Sequence, residues 1–166
     1  MSKQPVIFTQ NISESIDEIL SRYSYDKLFV LTDRNTFKFA FPLLENSKLC
    51  SNAEQIIIEA DDTHKNLEAL TSVWKILSDK HATRRSFMIN LGGGMVTDLG
   101  GFAASTFKRG IRYINIPTTL LGAVDAAVGG KTGINFNGLK NEIGVFNPAE
   151  SVLISTVFFK TLSREH

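Results

Sequence analysis

Hydrophobic positions change period several times along the chain, and each change predicts an element. Residues 5–9 (PVIFT) are short and apolar and predict an opening strand. Ile12, Ile16, Ile19 and Leu20 follow helical spacing, and Ser15-Ile16-Asp17-Glu18 has the form of a capping box marking that helix. Residues 27–32 (KLFVLT) predict a buried strand, Asp33-Arg34-Asn35 a turn, and the Phe-rich stretch to Leu44 a further apolar segment. Residues 55–59 (QIIIE) predict another strand. A helix is predicted over 64–80, with Leu67, Leu70, Val73, Trp74 and Leu77 on one face. Residues 86–91 (SFMINL) predict a strand that stops at Gly92-Gly93-Gly94. Beyond it come a small-residue helix over 95–107 and a strand over 112–116 closed by Pro117. From 118 to 146 the chain is rich in Gly, Ala, Asn and Lys with little periodicity, and a long irregular stretch of that kind usually carries function. Strands separated by helix-length stretches need crossover connections, and near-continuous apolar strands need both faces covered. The pattern therefore predicts a doubly wound, mostly parallel, Rossmann-like α/β domain.

Composition narrows the class. The 166 residues are 43% hydrophobic and 21% charged, enough for one domain with a sizeable core. Eighteen Lys and Arg against seventeen Asp and Glu leave a net charge of +1, so neither nucleic acid nor an anionic membrane is a partner on global charge. The single cysteine, Cys50, excludes a disulfide framework and fits a reducing compartment. No apolar run approaches the roughly 20 residues of a membrane span, and the first residues lack a signal peptide's apolar core. A soluble, cytoplasmic protein is the expectation. Asn11-Ile12-Ser13 matches a glycosylation sequon, which is read as chance. The last residues, 161–166, are polar and carry no helix stop signal, which reads as a truncation or else a natural tail.

The strongest chemical signal is Leu91-Gly92-Gly93-Gly94-Met95-Val96-Thr97-Asp98, a strand running through three glycines into a helix. Backbone N–H groups at a helix N-terminus attract anions, and glycine lets a diphosphate approach them. The competing reading is a tight turn needing positive φ; three consecutive glycines favour the cradle. The G-x-G-x-x-G fingerprint is not met, because its third position is Thr97. Gly130-Lys131-Thr132 imitates the end of a Walker A loop, but the position that needs the first glycine holds Asp125. Arg109, Arg112, Thr118, Thr119, Asp125, Lys131, Lys140, Asn141 and Glu142 form a dense polar set suited to a phosphorylated or carboxylated small molecule. His64, His81 and His166 are scattered without metal-ligand spacing and read as surface residues.

The blocks from Gly92 to Ala104, Lys108-Arg109-Gly110-Ile111-Arg112, Pro117-Thr118-Thr119-Leu120-Leu121, Val124-Asp125, Gly129-Gly130-Lys131-Thr132-Gly133 and Lys140-Asn141-Glu142-Ile143-Gly144-Val145-Phe146 together resemble the 3-dehydroquinate synthase family. The likeness is specific over 92–146 and weaker before 90. There Thr32-Asp33-Arg34-Asn35 is similar to the family's Asp-x-Asn turn. Asp61-Asp62-Thr63-His64-Lys65 stands where the family has Gly-Glu-x-x-Lys, so Asp62 is one methylene shorter than the family's Glu.

That resemblance implies an NAD- and divalent-metal-dependent enzyme, with zinc or cobalt as the metal. It would eliminate phosphate from 3-deoxy-D-arabino-heptulosonate 7-phosphate and cyclise it to 3-dehydroquinate, on the shikimate route to chorismate and aromatic amino acids. Gly93, Gly94 and Met95 would meet the pyrophosphate, Asp33, Asn35, Asp62 and Lys65 the adenosine end, and Asp98, Thr118 and Thr119 the nicotinamide half. Asp125, Lys131, Lys140 and Asn141 would hold substrate, with Asp125 and Lys140 also beside the cofactor. Arg109 would reach a phosphate from a partner subunit in a homodimer. Phe158, Thr161 and Leu162 match positions beside the nucleotide. The family's metal ligands lie in a helical C-terminal domain, so residues 1–162 are expected to be the NAD-binding domain and 163–166 the start of the connection. Such a chain alone is expected to bind NAD weakly and not to turn over. The alternatives are a related sugar-phosphate cyclase making an inosose or valiolone, or a non-catalytic nucleotide-binding module.

Overall fold

The apolar runs become the centre of one parallel sheet in the computed structural model, which describes residues 4–162. The strands are β1 (Val6–Phe8), β2 (Leu28–Asp33), β3 (Glu54–Ile58), β4 (Phe87–Gly92), β5 (Arg112–Pro117), β6 (Ile134–Phe136), β7 (Leu139–Ile143) and β8 (Val152–Ile154). The helices are α1 (Ile12–Leu20), α2 (Arg34–Phe39), α3 (Leu67–Asp79), α4 (Gly94–Thr106), α5 (Leu120–Val128) and α6 (Thr156–Leu162). Six strands form the sheet in the order β1-β8-β5-β4-β2-β3, every neighbouring pair parallel. β6 and β7 form a separate antiparallel hairpin.

Both faces of the sheet are covered, as the predicted class requires. Along β2, Phe29 and Leu31 enter one apolar cluster with Leu70, Val73 and Leu77 of α3 and Leu99 and Phe102 of α4. Leu28 and Val30 enter the opposite cluster with Ile16, Ile19 and Leu20 of α1 and Phe158 of α6. β4 divides likewise, Met88 to the first side and Phe87, Ile89 and Leu91 to the second. The period-two alternation of a strand thus feeds two cores at once.

Four local predictions need correction. Helix α1 starts at Ile12, not at Ser15: the Asn11 side chain accepts the Glu14 N–H at 3.2 Å. Asn caps as well as Ser, and starting earlier lets Ile12 join the buried stripe. The sequon asparagine is therefore a cap. Asp33 begins a helix rather than a turn, its carboxylate accepting the Thr36 N–H at 2.8 Å while Thr36 Oγ1 accepts the Asp33 N–H at 3.0 Å. Leu67 opens α3 but is largely exposed, off the packed face. The stretch after Thr118, predicted irregular, contains α5 and the hairpin. Helix α5 (LLGAVDAAV) has almost no polar residues, so it shows no polar–apolar period to read. β8 and α6 lie in a part of the chain for which the pattern predicted no element.

Candidate functional site

The order of the sheet opens a crevice at its carboxyl edge. From β2 the chain moves outward to β3; from β4 it moves the opposite way to β5. The connections leaving β2 and β4 therefore diverge, which is where open α/β sheets bind ligands. Asp33 ends β2 and Gly92 ends β4. A cavity of about 470 Å³ lies there.

Six separate segments line it. Asp33 and Asn35 come from the start of α2, Asp62 and Lys65 from the turn after β3, and Gly93, Gly94, Met95 and Asp98 from the start of α4. Thr118 and Thr119 follow β5, Asp125 is on α5, and Lys140 and Asn141 are on β7. All were singled out in the sequence. Thr36 and Ala60 also line the cavity and were not; Thr36 was legible as the fourth residue of a capping box, whereas Ala60 carries no chemical signal.

The three glycines are not there for positive φ. None of them has it, unlike Gly110 and Gly138. Gly92 packs against α4, and a Cβ there would come within 2.6 Å of Val96. At Gly94 a Cβ would meet no protein atom within 4 Å, so protein packing does not require glycine and the open space beside its backbone belongs to the cavity. The tight-turn reading fails on this geometry. Gly93 is the N-cap of α4 and offers no side-chain acceptor. The first N–H groups of this helix have no intrahelical partners and carry its positive end.

Lys65 is only 4% exposed. Its Nζ donates to Asp98 Oδ2 at 3.2 Å and to Asn141 Oδ1, and stands 3.8 Å from Asp62 Oδ1. Burial pushes the Asp98 carboxyl above the ordinary carboxylate range; Lys65 opposes this, and the Asp125 and Asp62 charges add to it. Asp61 caps the turn before Lys65, and the Thr63 N–H that it accepts holds its carboxyl below the usual range. Thr118, 1% exposed, has an Oγ1 with no hydrogen-bond partner, an exception that an unpaired buried hydroxyl makes notable.

Other predicted residues lie elsewhere. Arg109 borders a second cavity of about 450 Å³ with Arg84, Arg112 and Glu150, where β5 begins rather than ends. Lys131 is exposed, pairs with Phe146 in an isolated bridge, and does not line the crevice. Phe158 is fully buried in the core beneath α6 and does not line the crevice. The side chains of Thr161 and Leu162 lie outside the described structure, as do residues 163–166, His166 among them. His64 and His81 are exposed, as predicted. Among the described residues no group of three or more His, Cys, Asp or Glu could hold a metal ion, and no helix is long and apolar enough to cross a membrane.

Comparison with known proteins agrees with the resemblance in the sequence. The family described as 3-dehydroquinate synthase, N-terminal, matches residues 55–166. A 3-dehydroquinate synthase of Parabacteroides distasonis is 51% identical over the whole of this chain and 47% of its own length. One of Clostridium tetani is 45% identical over 84% of this chain and 37% of its own. The chain thus spans about half the length, or less, of these relatives. Among solved structures, 2-epi-5-epi-valiolone synthase from Streptomyces hygroscopicus, with NAD+ and Zn2+ bound, superposes with a TM-score of 0.83 at 28% identity, over 98% of this chain and 45% of that one. A parallel α/β sheet with its crevice at the β2–β4 divergence, a family model matching residues 55–166 and a relative matching the sequence from end to end place this chain in the 3-dehydroquinate synthase family.

Proposed function

We propose that this chain is the dinucleotide-binding half of a 3-dehydroquinate synthase and that NAD occupies the crevice at the carboxyl edge. The carrying observation is the pair formed by Gly94 and Thr118. A side-chain-free backbone opens on the cavity without any packing reason, and a buried hydroxyl beside it lacks a partner. A ligand with a diphosphate and hydrogen-bonding groups meets both needs.

In this reading the N–H groups at the start of α4 hold the pyrophosphate. Asp33 and Asn35, at the outer wall, hold the adenosine end, its ribose hydroxyls donating to the Asp33 carboxylate. Thr118 donates to or accepts from the nicotinamide half through Oγ1, with Asp98 and Thr119 beside it. Lys65 keeps Asp98 in place while burial leaves that carboxyl reluctant to ionise. Asp125 accepts from substrate hydroxyls, and Lys140 with Asn141 grips substrate anions. NAD, when bound, supplies a hydride acceptor for transient oxidation of the substrate. The described residues do not fit a divalent metal, since no three His, Cys, Asp or Glu among them are grouped to hold one. We therefore propose that residues 1–166 bind NAD without turning over. The substrate follows sequence likeness: 51% identity to a 3-dehydroquinate synthase against 28% to a valiolone synthase favours the seven-carbon keto-sugar acid phosphate.

Calorimetric titration with NAD tests the reading. Gly94→Val should fold normally, since nothing lies within 4 Å of the new Cβ, and should lose about tenfold or more in affinity. Thr118→Val should behave alike, because the hydroxyl it removes is unpaired in the free protein. Wild-type affinity in both variants would refute the crevice as the NAD site. Steady-state assays showing zinc-dependent product from residues 1–166 alone would refute the proposed inactivity.

A further inference from the structure

The hairpin brings Lys140 and Asn141 to the cavity on β7, a strand exposed along its whole length. Its pairing is irregular: Ile134 faces Ile143 and Phe136 faces Leu139, with a register shift between them. Residues 140–142 therefore stand opposite Asn135 alone. Such a bulge re-aims side chains and leaves backbone groups out of the ladder. Within it Asn141 has a φ of 52°, the left-handed region that a residue with a side chain enters at a cost. A conformation of this kind persists only where its surroundings hold it.

Asn135 holds it. Its Oδ1 accepts the Asn141 N–H at 2.9 Å, within the bulge. Its Nδ2 donates to the Asp62 carbonyl at 3.2 Å, and its own N–H donates to the Lys65 carbonyl at 2.8 Å. Lys65 Nζ then donates to Asn141 Oδ1. These contacts close a ring through the turn after β3, Asn135 and the bulge. A primary amide carries donor and acceptor on one short planar group; aspartate offers no donor, and glutamine is a methylene longer. Asn135 does not itself line the cavity.

We propose that Asn135 is a positioning residue. Without touching the ligand, its side-chain amide fixes the β7 bulge against the turn after β3 and so sets where Lys140 and Asn141 stand at the cavity. The proposal rests on the reading of that cavity as the dinucleotide and substrate site.

Residue-resolved amide hydrogen exchange by NMR on the whole chain, with NAD titration alongside, tests it in wild type, Asn135→Ala and Asn135→Asp. Asn135→Ala should speed exchange of the Asn141 N–H by about tenfold, the effect of one lost hydrogen bond, while exchange in β4 and β5 stays as it was. NAD affinity should fall by a similar factor. Asn135→Asp keeps the acceptor and loses the donor, and should restore slow exchange at Asn141. Unchanged exchange in Asn135→Ala overturns the proposal. Faster exchange with undiminished NAD affinity also overturns it, since the bulge would then be held for no purpose at the site. If wild type fails to bind NAD, the dinucleotide reading falls, and the proposal for Asn135 then stands or falls on exchange alone.

Discussion

The central strands and the hairpin beside the cavity are held by different forces. β2 and β4 are buried along their entire length and send alternate side chains into two apolar clusters. β7 is exposed throughout, and Phe136, Leu139, Ile143 and Phe146 around it stay open to solvent. Ile134 buries one side chain of the hairpin in the first apolar cluster, but its other anchors are polar: Asn135 on the turn after β3, Lys65 on Asn141, and the Gly133 N–H on the Asp98 carbonyl at 3.0 Å. Apolar burial is non-directional and large, so it supplies stability. Hydrogen bonds contribute less each but fix direction, so they set geometry at the site. Substitutions in the two regions should then separate stability from binding.

The largest expected effect is on the sheet. Phe87 is fully buried, with the rings of Tyr23 and Tyr25 at 5.1 and 6.0 Å. Phe87→Ala should lower unfolding free energy in urea by about 3–5 kcal/mol. A loss no greater than that of a surface change would break the comparison. Asp33→Ala touches both properties, because one carboxylate caps α2 and faces the cavity. It should lose about 1 kcal/mol in urea, as N-cap truncations do, and weaken NAD in calorimetry.

Asp98 sharpens the contrast through pH. Burial raises its carboxyl pKa in the folded state, so between the ordinary carboxylate value and the raised one the folded protein binds more protons than the unfolded chain. The stability linked to Asp98 is full below that window and is lost as pH rises through it. Asp98→Asn should remove this decline and flatten the midpoint against pH, while lowering stability at every pH because the buried Lys65 ammonium loses one of its carboxylates. A steeper decline in the variant would contradict the assignment. The smallest effect belongs to the apolar surface beside the site. Leu121 on α5 is 73% exposed, and Leu121→Ser should leave urea stability within about 0.5 kcal/mol of wild type.

The sheet was legible because its signals are local and repeated. Each strand of four or more apolar residues was readable as a run, and the crossover lengths imply parallel pairing. The glycine triplet was legible as a strand-to-helix junction at the crevice, but the reason for each glycine was not. Gly92 answers to Val96 and Gly94 to the cavity, a difference that exists only once α4 has formed beside the crevice. Asn11 was read as a chance sequon and Ser15 as the cap, because both carry cap chemistry and only burial of Ile12 decides between them. α5 was missed because a helix of small apolar residues has no polar face to mark its period. Asn135 was missed because an asparagine in a short strand announces nothing until the bulge opposite it is known.

The order of apolar and polar residues by itself determined the fold class and the strands at its centre, and the glycine and polar motifs, with the family resemblance, picked out most of the residues that meet at the crevice, since all of these are carried by neighbours in the chain. Only the tertiary structure decided which cations belong to the crevice. Lys65 and Lys140 reach it, while Arg109, as basic and as close to the motif in sequence, opens into a cavity at the other end of β5. Charge is a property of a residue, but the site it serves depends on which edge of the sheet its loop leaves, and that is settled by strand order.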